Sequence, residues 1–345
     1  MSKIDLKNKT ILVTGSSGFI GSNLCKVLFE QFEGITIVGI DNMNDYYDVS
    51  LKEYRLAQLK NQKNYVFIKG DISDKGLVND IFEKYQPAVV VNLAAQVGVR
   101  YSITNPDAYI RSNLIGFFNI LEACRHSVDG GKNGVGHLVY ASSSSVYGSN
   151  KKIPYSTEDK VDNPVSLYAA TKKSNELFAH AYSKLYRIPS TGLRFFTVYG
   201  PAGRPDMAYF KFTNKLVKGE AIQIYNNGDM KRDFTFIDDI VKGIIAVMQK
   251  TPKLSDDGVP YKVYNIGNSQ PEDLLAFVNT LEECLTEAGV IDEPVEKEFL
   301  PMQLGDVYQT FADTSELEKD FGFKPQTTIK EGLTAFAKWY KKFYK

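Results

Sequence analysis

Two side chains that together can move a proton stand four residues apart in Tyr168-Ala169-Ala170-Thr171-Lys172. In a helix this spacing puts the phenol and the amine on one face. A tyrosine hydroxyl has an ordinary pKa near 10, and a nearby cation lowers it by favouring the phenolate. Lowering it by about 3 units takes about 4 kcal/mol, which Lys172 and a second positive charge can supply. Because the chain has 21 tyrosines, the spacing alone carries little weight.

A run of serines lies upstream of this pair. Ser142-Ser143-Ser144-Ser145 follows the apolar stretch His137–Ala141, which predicts a strand. In open α/β sheets, ligands bind outside the carboxyl ends of the strands. Ser143 would then hydrogen-bond a substrate oxygen and orient it. The alternative is a polar turn whose serines act only as caps.

The glycine-rich segment Gly15-Ser16-Ser17-Gly18-Phe19-Ile20-Gly21 lies between an apolar run and a helical pattern. Gly15 permits a tight turn, Gly18 lets backbone approach a pyrophosphate, and Gly21 lets helix and strand pack. Glycine spacing alone is a weak signal, but Asp41 ends the next apolar run. A carboxylate there binds the adenosine ribose and repels a 2′-phosphate. The sequence therefore favours NAD over NADP, and the nicotinamide ring supplies the second positive charge.

The elements that must position these residues alternate between strand and helix. Strands are predicted at Ile11–Val13, Ile35–Ile40, Tyr65–Ile68, Val89–Leu93, His137–Ala141 and Ser190–Phe195, and helices at Phe19–Phe32, Gly76–Tyr85, Tyr109–His126 and Ser166–Tyr186. Apolar strands separated by helices predict an α/β fold with a Rossmann-type doubly wound parallel sheet. Beyond Pro201 the elements are shorter, and they include a helix predicted near Pro271–Ala288. We predict an NAD-binding domain over residues 1–200 and a smaller C-terminal α/β substrate lobe over residues 201–345, interleaved with the first.

Bulk composition excludes several classes of function. Lys+Arg and Asp+Glu number 41 each, which gives no sign of a nucleic-acid or membrane surface. The three cysteines and three histidines lack disulfide or metal spacing. No apolar run is long enough for a membrane span, and none marks a signal peptide. We expect no metal, no nucleic-acid partner, no membrane association and a cytoplasmic location.

With these motifs the sequence resembles the extended short-chain dehydrogenase/reductase superfamily over nearly its whole length. Within it the likeness is to nucleotide-sugar 4-epimerases, and more narrowly to UDP-glucuronate 4-epimerases. The narrower likeness is carried by Asp41–Asp48, Ala94–Ser102, Arg194–Pro201 and Gly203–Ala208. The resemblance implies that NAD is bound by Gly15, Gly18, Phe19, Ile20, Gly21, Asp41, Asn42, Asp71, Ile72, Leu93, Ala94, Ala95, Gln96, Asn113, Tyr168 and Lys172.

The resemblance also implies a reaction, with Tyr168, Lys172 and Ser143 as the catalytic residues. The Tyr168 phenolate takes the proton of the sugar's 4-hydroxyl while hydride passes to NAD. Hydride then returns to the other face of the 4-keto sugar. The implied contacts to a UDP-sugar come from Ser143, Ser144, Arg100, Thr197, Arg204, Tyr225, Arg232 and Asp306. Of these, Arg232 would bind the pyrophosphate, Tyr225 the uracil and Asp306 the ribose.

The expected substrate is UDP-glucuronate, converted to UDP-galacturonate. Its sugar carboxylate suits Arg204, Thr197 and Ser144, a bidentate cation with two hydroxyls. Related decarboxylases and dehydratases carry acids just after the catalytic Ser or Thr, where this chain has Ser144 and Ser145. Two alternatives stay open: a UDP-glucose or UDP-N-acetylglucosamine 4-epimerase, and a non-catalytic NAD-sensing protein. The resemblance further implies a homodimer and a role in polysaccharide biosynthesis.

Overall fold

The computed structural model describes residues 1–302 and 308–345. The first half of the chain forms β1 (Thr10–Thr14), α1 (Phe19–Gln31), β2 (Thr36–Asp41), α2 (Val49–Ala57), β3 (Tyr65–Lys69), α3 (Lys75–Tyr85), β4 (Val89–Asn92), α4 (Tyr101–Thr104), α5 (Pro106–Tyr109), a π-helical turn (Ile110–Ile115), α6 (Gly116–His126), β5 (His137–Ser143), a 3₁₀ turn (Ser144–Tyr147) and α7 (Leu167–Tyr186). The second half forms β6 (Ser190–Phe195), β7 (Thr197–Tyr199), α8 (Ala208–Val217), β8 (Ile222–Tyr225), β9 (Lys231–Phe236), α9 (Ile237–Met248), β10 (Tyr261–Ile266), β11 (Pro271–Asp273), α10 (Leu274–Glu287), β12 (Lys297–Leu300), β13 (Gln309–Thr310), α11 (Ser315–Phe321) and α12 (Ile329–Tyr344).

Among the described residues, seven strands form the main sheet, in the order β10-β6-β5-β4-β1-β2-β3. The pairings from β6 across to β3 are all parallel. Strand order 3-2-1-4-5-6 is that of the Rossmann fold, whose ligands bind where the order reverses beside β1. The predicted doubly wound parallel sheet is therefore confirmed.

The core of this sheet explains why its strands are apolar throughout. Leu12, Val38, Val90 and Leu138 are each at most 1% exposed, because helices cover both faces. Phe117 is among the α6 side chains that pack against them. Each such side chain contributes about 1.5–3 kcal/mol by leaving water. This buried layer fixes the strand ends on which the site is built.

Several elements differ from the predicted ones. The helix predicted over Tyr109–His126 is interrupted by the π turn, which contains Asn113. The prediction missed α2, although Asp48 caps it by accepting from the Ser50 N–H at 2.9 Å. The predicted helix Pro271–Ala288 starts later, at Leu274, because its first residues pair with β9 as a strand. Local patterns did not reveal these pairings, which depend on distant partners.

The chain divides into two compact units. The first comprises Met1–Lys151, Thr157–Phe195 and Val241–Asn265; the second comprises Lys152–Ser156, Phe196–Ile240 and Ile266–Lys345. The predicted boundary after residue 200 falls within the Phe196–Ile240 stretch, and the chain crosses between units repeatedly. In the second unit, β9 pairs with β7, β11 and β13, while β8 pairs with β12. There α8 and α12 meet through aromatic rings, such as Tyr209 and Phe336 with centroids 4.9 Å apart.

Candidate active site

The glycine loop connects β1 to α1 in the first unit. Gly15 has φ +69°, and a Cβ on it would lie 2.9 Å from the Ala94 nitrogen. A Cβ on Gly18 or Gly21 would lie 2.9 or 2.2 Å from the Gly15 carbonyl oxygen. Gly18 is the N-cap of α1, with no side chain capping that end. The N–H groups at the start of α1, at Phe19 and Ile20, thus lack a side-chain cap, and this cradle fits a dinucleotide pyrophosphate.

Asp41 ends β2 beside this loop and is held by backbone donors. One carboxylate oxygen accepts from the Ser17 N–H at 3.1 Å, and the other from the Met43 N–H at 2.9 Å. Each oxygen keeps a further lone pair for a ribose hydroxyl. Its negative charge would disfavour a 2′-phosphate, as the sequence predicts.

Sequence reasoning missed two basic residues behind this carboxylate, both on α2. Arg55, 1% exposed, donates to the Ser17 carbonyl at 3.3 Å and to the Tyr47 hydroxyl at 2.6 Å. Lys52 donates to the Asn44 carbonyl at 2.8 Å. Burial lowers the pKa of Lys52, although the charge of Asp41 opposes that shift. These contacts tie the segment after Asp41 to the glycine loop. The sequence pattern that could have revealed them is the spacing of Lys52 and Arg55, three residues apart on one helix face.

The next strand end brings Asn42 and Asp71 together. The Asn42 side chain hydrogen-bonds Asp71, whose carboxylate also accepts from the Ser73 N–H at 2.8 Å. Burial acts to raise the pKa of Asp71, but these bonds and the Arg111 charge outweigh it and lower that pKa. Ile72 is buried, and its carbonyl accepts from Asn119 at 3.0 Å. Asp41, Asn42, Asp71 and Ile72 therefore share one edge of the sheet.

The segment after β4 is fixed by buried polar bonds. Leu93 follows β4 directly, and the Ala94 N–H donates to Thr14 Oγ1 at 3.0 Å. The Gln96 N–H donates to Asn113 Oδ1 at 2.8 Å, and Asn113 Nδ2 donates to Thr171 Oγ1 at 3.0 Å. Asn113, which the resemblance assigns to NAD binding, joins this segment to α7. Ala95 completes the small-residue stretch.

The proposed catalytic residues lie where β5 meets α7. Ser143 is the last residue of β5, is 8% exposed, and accepts from the Ser145 N–H at 3.1 Å. Ser144 follows, partly buried, in the 3₁₀ turn. Tyr168 is the second residue of α7, and its ring meets Tyr109 edge-on with centroids 6.0 Å apart.

Lys172 lies one turn further along α7 and is 2% exposed. Its Nζ donates to the Ala141 carbonyl at 2.9 Å, two residues before Ser143. Burial lowers the pKa of Lys172 from 10.5 to about 8. The ammonium is therefore held beside the end of β5, on the same helix face as Tyr168, where it can stabilise a phenolate.

The other residues implied to contact substrate lie apart from this group in the chain. Arg100 is exposed and precedes α4 in the first unit. In the second unit, Thr197 begins β7, Tyr225 ends β8, and Arg232 lies on β9 with Nη1 donating to the Tyr308 carbonyl at 3.2 Å. Asp306 lies outside the described residues.

Arg204 already has a carboxylate partner. Its Nε donates to Asp206 Oδ1 at 3.0 Å, and its Nη2 to Asp206 Oδ2 at 2.5 Å. Both side chains are about a quarter exposed, at 26% and 22%. The guanidinium thus donates two parallel hydrogen bonds to one planar carboxylate of its own chain. Sequence reasoning did not foresee Asp206 in this role, although it stands only two residues away.

The described part of the chain has neither a membrane-spanning helix nor a cluster of metal ligands. No helix in residues 1–302 and 308–345 combines the length and apolar character needed to span a membrane. No three His, Cys, Asp or Glu side chains of those residues converge as metal ligands would.

Comparison with known proteins agrees with this geometry. The family described as GDP-mannose 4,6 dehydratase matches residues 12–336. The chain is 50% identical to Protein CapI of Staphylococcus aureus, over 97% of this chain and 99% of that protein. It is 43% identical to a probable UDP-glucuronate 4-epimerase of Rhizobium meliloti, over 97% of both. A structure of the UDP-glucuronic acid 4-epimerase of Bacillus cereus, in complex with UDP-glucuronic acid and NAD, has a TM-score of 0.84 at 31% identity, covering 97% and 100% of the two chains.

The sheet order and glycine loop thus define a dinucleotide-binding protein of the extended short-chain dehydrogenase/reductase type. The chain belongs to the GDP-mannose 4,6 dehydratase family within that superfamily. The resemblance predicted from the sequence is therefore confirmed.

Proposed function

We propose that this protein is an NAD-dependent isomerase that interconverts UDP-glucuronate and UDP-galacturonate through a 4-keto intermediate. The observation that carries the proposal is the buried Lys172 ammonium, one helical turn after Tyr168 and bonded to β5 two residues before Ser143. Relatives and a structural neighbour named as UDP-glucuronate 4-epimerases support the same reaction.

In this mechanism the chain's own residues move one proton. Bound NAD supplies the acceptor and donor of the hydride. Tyr168, as phenolate, takes the proton of the 4-hydroxyl, and Lys172 stabilises that phenolate. Ser143 orients the C4 oxygen through a hydrogen bond. Tyr168 returns the proton to the same oxygen when C4 is reduced from its other face, so the residue ends as it began.

Residues that bind the nucleotide must hold it while the 4-keto sugar rotates to present its other face. Arg232 is proposed to bind the pyrophosphate, because a guanidinium forms paired hydrogen bonds with phosphate oxygens. Tyr225 is proposed to stack on the uracil, Asp306 to bind its ribose, and Arg100 to add a further polar contact. The NAD contacts proposed are those of the glycine loop, Asp41, Asn42, Asp71, Ile72, Leu93–Gln96 and Asn113.

Arg204, Thr197 and Ser144 are proposed to bind the sugar carboxylate. The carboxylate would replace Asp206 on the Arg204 guanidinium, exchanging one bidentate pair for another of the same kind. The 4-keto intermediate is a β-keto acid, which loses carbon dioxide readily unless its carboxylate is held out of alignment. Ser144 and Ser145 cannot act as carboxylic acids, which supports epimerisation without dehydration or decarboxylation.

The Arg204–Asp206 pair also favours a second candidate, a neutral-sugar 4-epimerase acting on UDP-glucose or UDP-N-acetylglucosamine. An arginine already paired within its own chain needs no charged substrate. In this second candidate, the roles of Tyr168, Lys172 and Ser143 are unchanged. It differs from the first proposal only in the sugar of the substrate.

The test is to incubate purified protein with UDP-glucuronate or UDP-glucose, without added cofactor, and to follow the products by NMR. UDP-galacturonate alone is the expected product. Conversion of UDP-glucose alone would transfer the proposal to the neutral-sugar candidate. A pentose product with released carbon dioxide would contradict the reading of Ser144 and Ser145. The Tyr168→Phe protein is the matched control for adventitious turnover.

We also propose a cytoplasmic homodimer whose product serves polysaccharide biosynthesis. The contacting helices α6 and α7, with the π turn before α6, expose large apolar side chains. Ile115 is 47% exposed, Phe118 40%, Leu177 59% and Leu185 68%, an arrangement typical of a protein–protein interface. Analytical ultracentrifugation of the protein and of Leu177→Glu tests this: a monomeric wild type, or a variant as dimeric as the wild type, would refute it.

A further inference from the structure

A buried ion pair lies within the first unit, one turn beyond Lys172. Arg194, on β6, donates from Nε to Glu176 Oε1 at 2.8 Å and from Nη2 to Oε2 at 2.9 Å. Their side chains are 4% and 3% exposed. Burial acts to raise the pKa of Glu176, but the Arg194 hydrogen bonds and charge outweigh it and lower that pKa. A buried pair of this kind is weak evidence for stability, so its other contacts indicate what it does.

The Glu176–Arg194 pair forms hydrogen bonds at both ends of the segment Ser142–Tyr147, which contains the serines and the 3₁₀ turn. The Ser142 hydroxyl donates to Glu176 Oε1 at 2.7 Å. At the other end, Arg194 Nη1 donates to the Tyr147 hydroxyl at 3.0 Å, which donates to Asn265 at 2.7 Å. Ser143 and Ser144 lie between these two attachment points. Strand register reinforces this arrangement, because Ser142 pairs directly with Arg194 across β5 and β6.

Helix α7, which carries Glu176, is bonded to β5 at a second point. Lys172 donates to the Ala141 carbonyl, while Glu176, one turn later, accepts from Ser142. Two consecutive residues of β5 are therefore bonded to two residues one turn apart on α7. Because α7 also carries Tyr168, these bonds set the position of the serine hydroxyls relative to the phenol.

We infer that Glu176 and Arg194 are positioning residues that hold the Ser143–Ser144 turn in register with Tyr168 for proton transfer at C4. This inference rests on the proposed function. Neither residue is assigned a contact with substrate or cofactor. Their effect on the reaction passes through Ser142 and Tyr147 to the turn, and a displacement of about 1 Å there is enough to slow turnover about 100-fold.

The experiment removes the attachments and keeps the ion pair, because breaking a buried pair leaves an uncompensated charge. Ser142→Ala and Tyr147→Phe are compared with wild type as NAD-loaded protein turning over UDP-glucuronate. We expect each to lower kcat about 10- to 100-fold, with a smaller rise in KM for UDP-glucuronate through Ser144 and with NAD content within about twofold. Ser190→Ala is the matched control: it is another fully buried serine on the β5–β6 pair, but at the opposite end of β6. It should leave kcat unchanged.

The decisive comparison repeats both substitutions in a Ser143→Ala background. If Ser142 and Tyr147 act only by positioning Ser143, then Ser142→Ala or Tyr147→Phe in the Ser143→Ala protein changes the residual kcat by less than about twofold. Equal losses in both backgrounds would overturn the inference, as would unchanged kcat in the single variants. Wild-type protein that does not convert UDP-glucuronate would refute the proposed function itself, so the two failures are distinguishable.

Discussion

Replacing Lys172 with Met should make the protein more stable and nearly inactive. The lysine is buried, its Nζ is bonded to the Ala141 carbonyl, and burial lowers its pKa from 10.5 to about 8. Multiplying that difference by about 1.36 kcal/mol for each pKa unit gives about 3 kcal/mol as the cost of holding the ammonium there. The lost hydrogen bond offsets about 1 kcal/mol. Lys172→Met should therefore raise the free energy of unfolding by about 2 kcal/mol at pH 7, or the Tm by about 3 °C.

The gain in the free energy of unfolding should depend on pH, because the pKa of Lys172 differs between the folded and unfolded states. The folded-state pKa lies below the unfolded value, so the penalty is fully present below about pH 8. It is relieved as pH rises from about 8 to 10.5, and the difference between variant and wild type should shrink over that window. Over the same range, wild type loses the Lys172 charge that supports the phenolate. At pH 7, we expect kcat to fall about 10²- to 10⁴-fold in the variant.

The assay is thermal unfolding of both proteins at matched NAD content across pH 7 to 10.5, with turnover measured in parallel. Lys184→Met, near the end of the same helix, is the control, since that lysine pairs with Asp257 in an exposed position. It should change neither measurement. A Lys172→Met protein that unfolds more easily than wild type would show that the burial argument is wrong. One that keeps wild-type turnover would remove Lys172 from the mechanism.

Three further changes test other parts of the site. Tyr168→Phe should lower kcat at least 10³-fold while NAD stays bound, measured by NMR turnover and absorbance after denaturation; unchanged turnover would remove Tyr168 from the mechanism, whereas NAD-bound wild type without turnover would favour an NAD-sensing protein. Gly21→Ala should abolish NAD retention, because its Cβ would lie 2.2 Å from the Gly15 carbonyl oxygen, whereas Gly76→Ala meets nothing closer than 3.4 Å and should retain NAD. Arg204→Met should raise KM for UDP-glucuronate about 10- to 100-fold by steady-state kinetics and leave UDP affinity unchanged; an unchanged KM would exclude Arg204 from the carboxylate site.

Much of the NAD half of the fold could be predicted because its signals are local. Apolar runs of strand length mark strands buried on both faces, and the spacing from Gly15 to Gly21 fixes the turn into α1. The position of Asp41 at the end of β2 could be predicted because a strand end has a definite place in such a sheet. These features depend on residues close in sequence, so one chain is enough to predict them.

What could not be predicted depends on contacts between distant segments. Glu176 and Arg194 are 18 residues apart, and only the register of β5 and β6 brings them to Ser142. Asn113 joins Gln96 to Thr171 from within a π turn, which no helical periodicity indicates. The β9 pairings were missed for the same reason, because Arg232 pairs with Glu272 on β11 and with Thr310 on β13, both far along the chain.

The Arg204–Asp206 pair bears on how tightly an epimerase should bind the sugar carboxylate. In the proposed mechanism the sugar rotates between the two hydride transfers, so its carboxylate leaves Arg204 only during that rotation and is held again in each orientation in which C4 reacts. A guanidinium left unpaired at 26% exposure would lose hydrogen bonds each time. Asp206, two residues away, is always at high local concentration and can take the place of the departing carboxylate. Exchange between two similar pairs keeps the free-energy difference between the two Arg204 pairings small in both directions, as a reversible reaction requires.

The same exchange limits discrimination against neutral sugars, because UDP-glucose leaves the Arg204–Asp206 pair intact. Selectivity for glucuronate must then come from the additional hydroxyl contacts of Thr197 and Ser144 rather than from charge alone.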